Sequence, residues 1–394
     1  MTGKVVFFKG VYDTLDLYTD EFHRVFMEKG YETLIIHIDH MEKCLKQLGK
    51  FMEDSPVDAV IMFNNLGFNM ELAEGKNIWD EWQIPCINIL MDHPFRYDKA
   101  LKHAPQNAIV LCMDQNHVDY VKRFYPNIRR TGFLPHAGIE VPGAHRPLCE
   151  RGIEVLYAGG LAKYVAQGLI PDLTSITDFD ALALSQYALQ ELVEHPNRTT
   201  EEVIEEYLRN QGLGYDDEML HQTICKMRFL DSFAVSFYRE QSVRILVENG
   251  IPVTVYGAGW ERCEWANNPN LTLVGKISAS DIPAIMNDAK IVLNTMTWFK
   301  AGAHDRIFNG MLAGAVVVSD ESTYLHDHLT SGQELETFDL PEIGRLPQLV
   351  SALLEQPERA QNIADCGYRS AKTNHTWTNR IEEVIIPILT KKQI

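Results

Sequence analysis

The 394-residue sequence has no uninterrupted apolar run of some 18 or more residues, the length a membrane-crossing helix requires, so no transmembrane segment is expected. Its N-terminus, MTGKVVFFKG, lacks the basic start and the small-residue cleavage site of a signal peptide, and a cytoplasmic location is expected. Cysteine is sparse. The seven residues (Cys44, Cys86, Cys112, Cys149, Cys225, Cys263, Cys366) are scattered and odd in number, with no CxxC spacing for zinc or a redox pair. They read as reduced, mostly buried thiols. Positive charge is in deficit, with 36 Lys and Arg against 54 Asp and Glu and a net charge of −18. Binding a phosphate backbone needs a basic stripe that displaces counterions, so a nucleic-acid partner is not expected. A small anion is still allowed, because backbone N–H groups at a helix N-terminus and one or two local arginines suffice to hold it. Also missing is a complete GxGxxG after the first strand with an acidic residue about 20 positions on. VVFFKGVYD offers neither, which argues against a nicotinamide dehydrogenase.

What is present is an α/β rhythm, repeated. The length suits two α/β domains with a cleft between them, and 45% apolar with 23% charged residues is the composition of a globular chain. Short, β-branched, wholly apolar runs recur in the first third: VVFF near residue 5, TLIIHI at 33, DAVIMF at 58, CINILM at 86 and AIVLCM at 108, with FLPHAG at 133–138 as a sixth candidate. Apolar throughout rather than alternating, they read as parallel strands covered on both faces. The stretch 140–152, with Pro142, Gly143, Pro147 and Gly152, breaks regular structure and reads as a linker. A second set follows: IEVLYAGGL from Ile153, PVTVYGAGW at 252, LTLVG at 271, KIVLNT at 290 and AVVVSD at 315. Between its first two members lies a helical insert, about 163–235, with candidate caps at Asp178 and at Thr199-Thr200. The insert reads as an enlarged helical connection, or as an acceptor-binding or oligomerising surface. The expected architecture is thus a first domain over 1–140, a second over 152–376 and a terminal helix over 377–394.

Open parallel sheets bind ligands where strand ends lead into helix N-termini. Three glycine-bearing strand ends fit that description: Gly159-Gly160, Tyr256-Gly257-Ala258-Gly259-Trp260, and Trp298 to Arg306. Gly257-Ala258-Gly259 opens a GxGxxG pattern that Arg262 then breaks. From Gly302 onward small residues open a helix, His304, Asp305 and Arg306 occupy its start, Gly314 ends it and a buried strand follows. Arg306 can direct a planar fork of donors at phosphate oxygens, and Asn309, three residues on, can bond a ribose hydroxyl.

Those residues, with Val274-Gly275, the stretch Asp281 to Asn294 and the terminal His375-Thr-Trp-Thr-Asn-Arg380, resemble the C-terminal domain of group 1 glycosyltransferases of the GT-B fold, particularly the subgroup containing CgeB-like proteins. The resemblance covers about residues 235–390, and Met91-Asp-His-Pro-Phe95 resembles a short motif of related N-terminal domains. It implies a nucleoside-diphosphate sugar, UDP-linked above all, held by the second of two Rossmann-like domains with parallel sheets. It also implies a last helix that crosses back over the first domain, and no metal. Where retaining relatives carry two glutamates eight positions apart, this chain has Ala301 and Asn309, which leaves the stereochemical outcome open.

On the acceptor side a base, or a retaining mechanism without one, is required. Asp13, Asn64 with Asn65, and Asp92 with His93 stand at strand ends of the first domain, and His136 lies near the domain junction. Asp92 and His93 are the preferred pair, against the reading of a capped turn with a packed imidazole. The acceptor, whether protein, glycan or small molecule, is not legible. Two other readings keep the fold: a sugar-nucleotide epimerase or phosphorylase-like enzyme, and a non-catalytic sugar-nucleotide binding protein.

Overall fold

The computed structural model describes residues 3–390 apart from 12, 73–74, 141–142, 144 and 164–166; Pro142 of the expected linker and residues 391–394 of the terminal helix lie outside the described residues. The chain divides into two compact units. One comprises Met1–His136 with Thr376–Ile394, the other Ala137–His375.

In the first unit the apolar runs become β1 (Lys4–Lys9), β2 (Glu32–His37), β3 (Ala59–Phe63), β4 (Cys86–Leu90) and β5 (Ala108–Cys112), joined by β6 (Arg130–Phe133). All pairings are parallel, in the order β2-β1-β3-β4-β5-β6. The sixth strand lies before the expected FLPHAG run. An edge strand, paired only with β5, needs no fully apolar sequence, and Arg-Thr-Gly-Phe is half-buried along its length. Residues from Thr376 on complete this unit. Trp377 is fully buried against Tyr18, Phe22 and Phe63 at ring distances of 5.2, 5.4 and 6.4 Å, and Arg380 Nε donates to Pro135 O at 3.1 Å.

The second unit contains β7 (Ile153–Ala158), β8 (Val253–Tyr256), β9 (Leu271–Gly275), β10 (Ala289–Asn294), β11 (Val316–Asp320) and β12 (Glu336–Phe338), again parallel, in the order β12-β11-β10-β7-β8-β9. Counted within the unit, that is the Rossmann order, and the direction of strand addition reverses between β7 and β10. The expected linker is built into this unit. Buried Arg151 donates to Ala289 O at 2.8 Å and to Ala313 O at 3.1 Å.

The insert supplies helices Ala181–Glu194, Thr200–Asn210 and Asp217–Met227 and leads into the long helix Phe229–Glu248, which returns to the sheet. Its first cap is Asp180, whose Oδ1 accepts the Ala183 N–H at 2.9 Å, and not Asp178, which pairs with Lys226 at 3.3 Å. Asp180 directly precedes the first helical residue and has the extended backbone a cap requires there. Thr199 closes a capping box with Glu202. The cysteines carry free thiols; Cys44, Cys86, Cys112 and Cys263 are buried, and Cys149 is exposed. Among the described residues no helix is long and apolar enough to cross a membrane.

Candidate functional site

The glycine turns after β7 and β8 are held together by their own backbones. Gly159 N donates to Tyr256 O and Leu161 N to Ala258 O, both at 2.8 Å, and Gly257 N donates to Gly275 O at 2.9 Å. So close an approach excludes side chains. A Cβ on Gly259, whose φ is 98°, would stand 1.8 Å from Leu161 O, and one on Gly257 2.2 Å from Gly159 O. Trp260, expected to face the donor, is instead fully buried beneath this double turn. Its indole N–H donates to Gly159 O at 2.8 Å, and its ring meets Tyr157 edge-on at 5.4 Å. A large apolar ring that follows a strand end gains more from the core than from solvent, and only its N–H needed a partner. Tyr256 is half-buried at the end of β8.

The helix Asp305–Leu312 begins at the third turn. It ends in a Schellman arrangement, with Ala315 N bonded to Gly310 O, Gly314 N to Met311 O, and Gly314 at φ 66°. His304 is the N-cap, its Nδ1 accepting the Arg306 N–H at 3.1 Å while Asp305 Oδ1 lies 2.6 Å from the same nitrogen. A neutral ring satisfies only one of these at a time, and burial, followed by the charge of Arg306, pushes the His304 pKa below its ordinary value. Gly302 is fixed through its carbonyl, which accepts Ser322 Oγ at 2.6 Å.

Arg306 spans the point where strand order reverses. It is 6% exposed; its Nε donates to Ala158 O at the end of β7 (2.6 Å), its Nη1 donates to Asn294 Oδ1 at the end of β10, and its guanidinium carbon lies 5.1 Å from the centre of the Tyr157 ring. Two donors of the fork expected on phosphate are therefore committed to the protein. Asn294 continues to Ser319 Oγ at 2.9 Å, and Asp320 beside it accepts the Met296 N–H at 2.9 Å. Burial pushes the Asp320 carboxyl up to about 7. Asn309, expected on a ribose hydroxyl, accepts the Ile139 N–H at 2.9 Å and donates to Asp305 Oδ2 at 3.3 Å.

In the first unit Asp92 and His93 face different neighbours. Asp92 is half-buried, and its Oδ2 accepts Tyr97 Oη–H at 2.8 Å and Asn64 Nδ2–H at 3.2 Å. Asn64 and Asn65 both adopt left-handed backbone, φ 47° and 63°, and Asn64 Oδ1 accepts the Met91 N–H at 2.8 Å. Tyr97 is not singled out by the sequence; an aromatic seven residues beyond the strand end carries no distinguishing signal. His93 is 6% exposed, caps the following turn by accepting the Phe95 N–H at 3.2 Å, stacks on Phe95 at 3.8 Å and meets His117 and Tyr120 edge-on. His136 is buried, 6.5 Å from Tyr18 and 6.3 Å from Trp377. Asp13 opens the helix Asp13–Glu28 and is exposed, where a carboxylate favours the helix dipole.

Residues 239–386 match the family model described as glycosyl transferase-like. No curated protein matches the chain in sequence. Three solved structures are similar across nearly its whole length. An alpha-glucosyltransferase in complex with UDP and a 13-mer DNA containing an HMU base is 12% identical, covering 99% of this chain and 100% of its own, at a TM-score of 0.56. Sucrose-phosphate synthase from Thermosynechococcus elongatus is 10% identical, covering 98% and 99%, at 0.54. HepE from Anabaena, in complex with UDP and glucose, is 10% identical, covering 98% and 100%, at 0.52. The chain thus has the GT-B α/β fold, with a glycosyl transferase-like segment over residues 239–386.

Proposed function

We propose that this protein is a glycosyltransferase of the CgeB-like kind that moves a sugar from a nucleoside diphosphate, UDP above all, to an acceptor hydroxyl. The carrying observation is the paired glycine turn, Gly159-Gly160 against Gly257-Gly259, at the strand ends beside the N-terminus of Asp305–Leu312. Backbone without side chains beside a helix N-terminus is what a pyrophosphate needs for close approach. Gly159-Gly160 follows β7, at the sheet's reversal point, and Gly257-Gly259 and the helix Asp305–Leu312 lie inside the family-matched segment. The solved neighbours that hold UDP support the same reading.

The acceptor side belongs to Asp92, whose carboxylate is oriented by Tyr97 and Asn64, while His93 supports the turn. A carboxylate held by two donors at a strand end is placed to accept the proton of an attacking hydroxyl. The net charge of −18 argues against a nucleic-acid acceptor of the kind one neighbour holds. Guanidinium and backbone N–H groups, not a divalent ion, meet the diphosphate charge in this reading, so transfer should survive EDTA.

Product analysis tests the proposal. With a labelled UDP-sugar and a panel of protein, glycan and small-molecule acceptors, mass spectrometry should find free UDP and an acceptor heavier by one sugar. Conversion of one UDP-sugar into another without release of UDP would establish an epimerase instead. Binding with neither outcome would leave a binding protein.

A further inference from the structure

Arg306 is fixed in the wall of the second sheet, so the charge that meets an anion there must come from elsewhere. Arg239, in the long helix Phe229–Glu248, reaches the loops at the same reversal point. It is partly buried; its Nη1 donates to Gly160 O at 2.5 Å, in the loop after β7, and its guanidinium carbon lies 5.5 Å from the centre of the Trp298 ring, in the loop after β10. Its charge also contributes to depressing the pKa of His304. One side chain thus touches both loops that flank the crevice of a Rossmann sheet.

Two polar atoms in this place have no hydrogen-bond partner among the described residues. One is Arg239 Nε and the other is Thr297 Oγ1, the latter 5% exposed and adjacent in sequence to Trp298. Buried donors are nearly always paired, and leaving one unpaired forfeits its hydration without return. Arg239 also has no carboxylate within ion-pair distance among the described residues, although the chain as a whole is strongly acidic. A partly buried guanidinium with a spare donor and no counter-ion is completed by an anion. Its stacking on Trp298 holds the planar fork in one orientation.

Resting on the glycosyltransferase reading, we infer that Arg239, positioned by Trp298 and Gly160, is the cation that binds the diphosphate of the donor, and that Arg306 is the strut that holds the strand ends beneath it.

The test is calorimetry on the full chain with UDP and, separately, with inorganic pyrophosphate, for the wild type, Arg239→Ala, Arg239→Lys and Arg306→Lys, with melting temperature measured without ligand. Arg239→Ala is expected to bind both ligands roughly tenfold to a hundredfold more weakly, the range for a hydrogen bond to a charged group. Its ligand-free melting temperature should stay close to that of the wild type. Arg239→Lys should recover part of the affinity, because the charge returns without the fork. Arg306→Lys should lower the melting temperature. Unchanged affinity of both Arg239 variants for both ligands overturns the assignment while leaving the transferase reading intact. Arg239-dependent binding of pyrophosphate without binding of UDP supports the anion site and removes the reading of a UDP-sugar transferase. A wild type that binds neither ligand overturns both. If Arg239→Ala fails to fold, Arg239→Lys with the pyrophosphate arm decides the question.

Discussion

Asp92 and His93 are neighbours in sequence and were legible together, yet their surroundings separate them. His93 follows a strand and precedes a proline, so its ring serves the turn, accepting the Phe95 N–H and stacking on an aromatic cluster that no local pattern announced. Asp92 points its Oδ2 at Tyr97 and Asn64. Asp92→Asn should therefore slow sugar transfer by about 10²–10⁴ with nucleotide affinity unchanged, since a base acts in the transition state. Steady-state kinetics beside calorimetry read this directly, and transfer within a few-fold of the wild type would remove Asp92 as the base. Asp320 gives a second residue-scale expectation. Its folded pKa, about 7, lies above the ordinary carboxyl value of 3.8, so the folded state holds the extra proton. The stabilisation this brings is present below the unfolded pKa and is lost as pH rises through the folded one. Stability should decline between about pH 4 and 7, by at most about 4 kcal/mol at about 1.4 kcal/mol per unit. Asp320→Asn should flatten that part of the profile in urea titrations, and an unchanged slope would contradict the account.

At the scale of elements, sequence patterns succeeded where an element is covered on both faces. The central strands β1, β3, β4, β5, β7, β8, β10 and β11 all coincide with runs read from the sequence, because a strand between helical layers has little solvated side on which to carry polar residues. The edges escaped. β6 reads Arg-Thr-Gly-Phe and β12 Glu-Thr-Phe, and each pairs on one side only, so neither needs an apolar signature. The glycine turns were legible as glycines but not in their partners. GxG after β8 reads as an opening to a ligand, whereas Gly257 and Gly259 are first required by the opposing backbone at Gly159 and Leu161. Gly259→Ala should destabilise the second unit by more than the about 1–3 kcal/mol of a left-handed alanine, since its Cβ also meets Leu161 O. Gly30→Ala, at φ 84° with nothing within 4 Å, isolates the conformational part. Equal losses in the two variants, measured by chemical denaturation, would show that the turn pairing is not under constraint.

At the scale of the molecule, two Rossmann-like units arise from one repeated rhythm, and the chain returns at Thr376 to finish the unit it began with. The return was expected from resemblance alone; its physical basis is Trp377, which inserts among Tyr18, Phe22 and Phe63 and makes the terminal helix part of the first core. The units differ in strand order, and only the second has the reversal point flanked by the glycine turns, Arg239 and Arg306. The proposed function places the donor on the second unit. Hydrogen exchange followed by mass spectrometry, with and without saturating UDP, GDP, dTDP or ADP, tests that assignment most directly. A ligand at about a hundred times its Kd adds about 2.7 kcal/mol to the unit that binds it. The account predicts that at least one nucleotide, UDP first, slows exchange at residues 157–161, 256–260 and 295–306. Protection confined to residues 1–136, or no protection by any of the four, would contradict it.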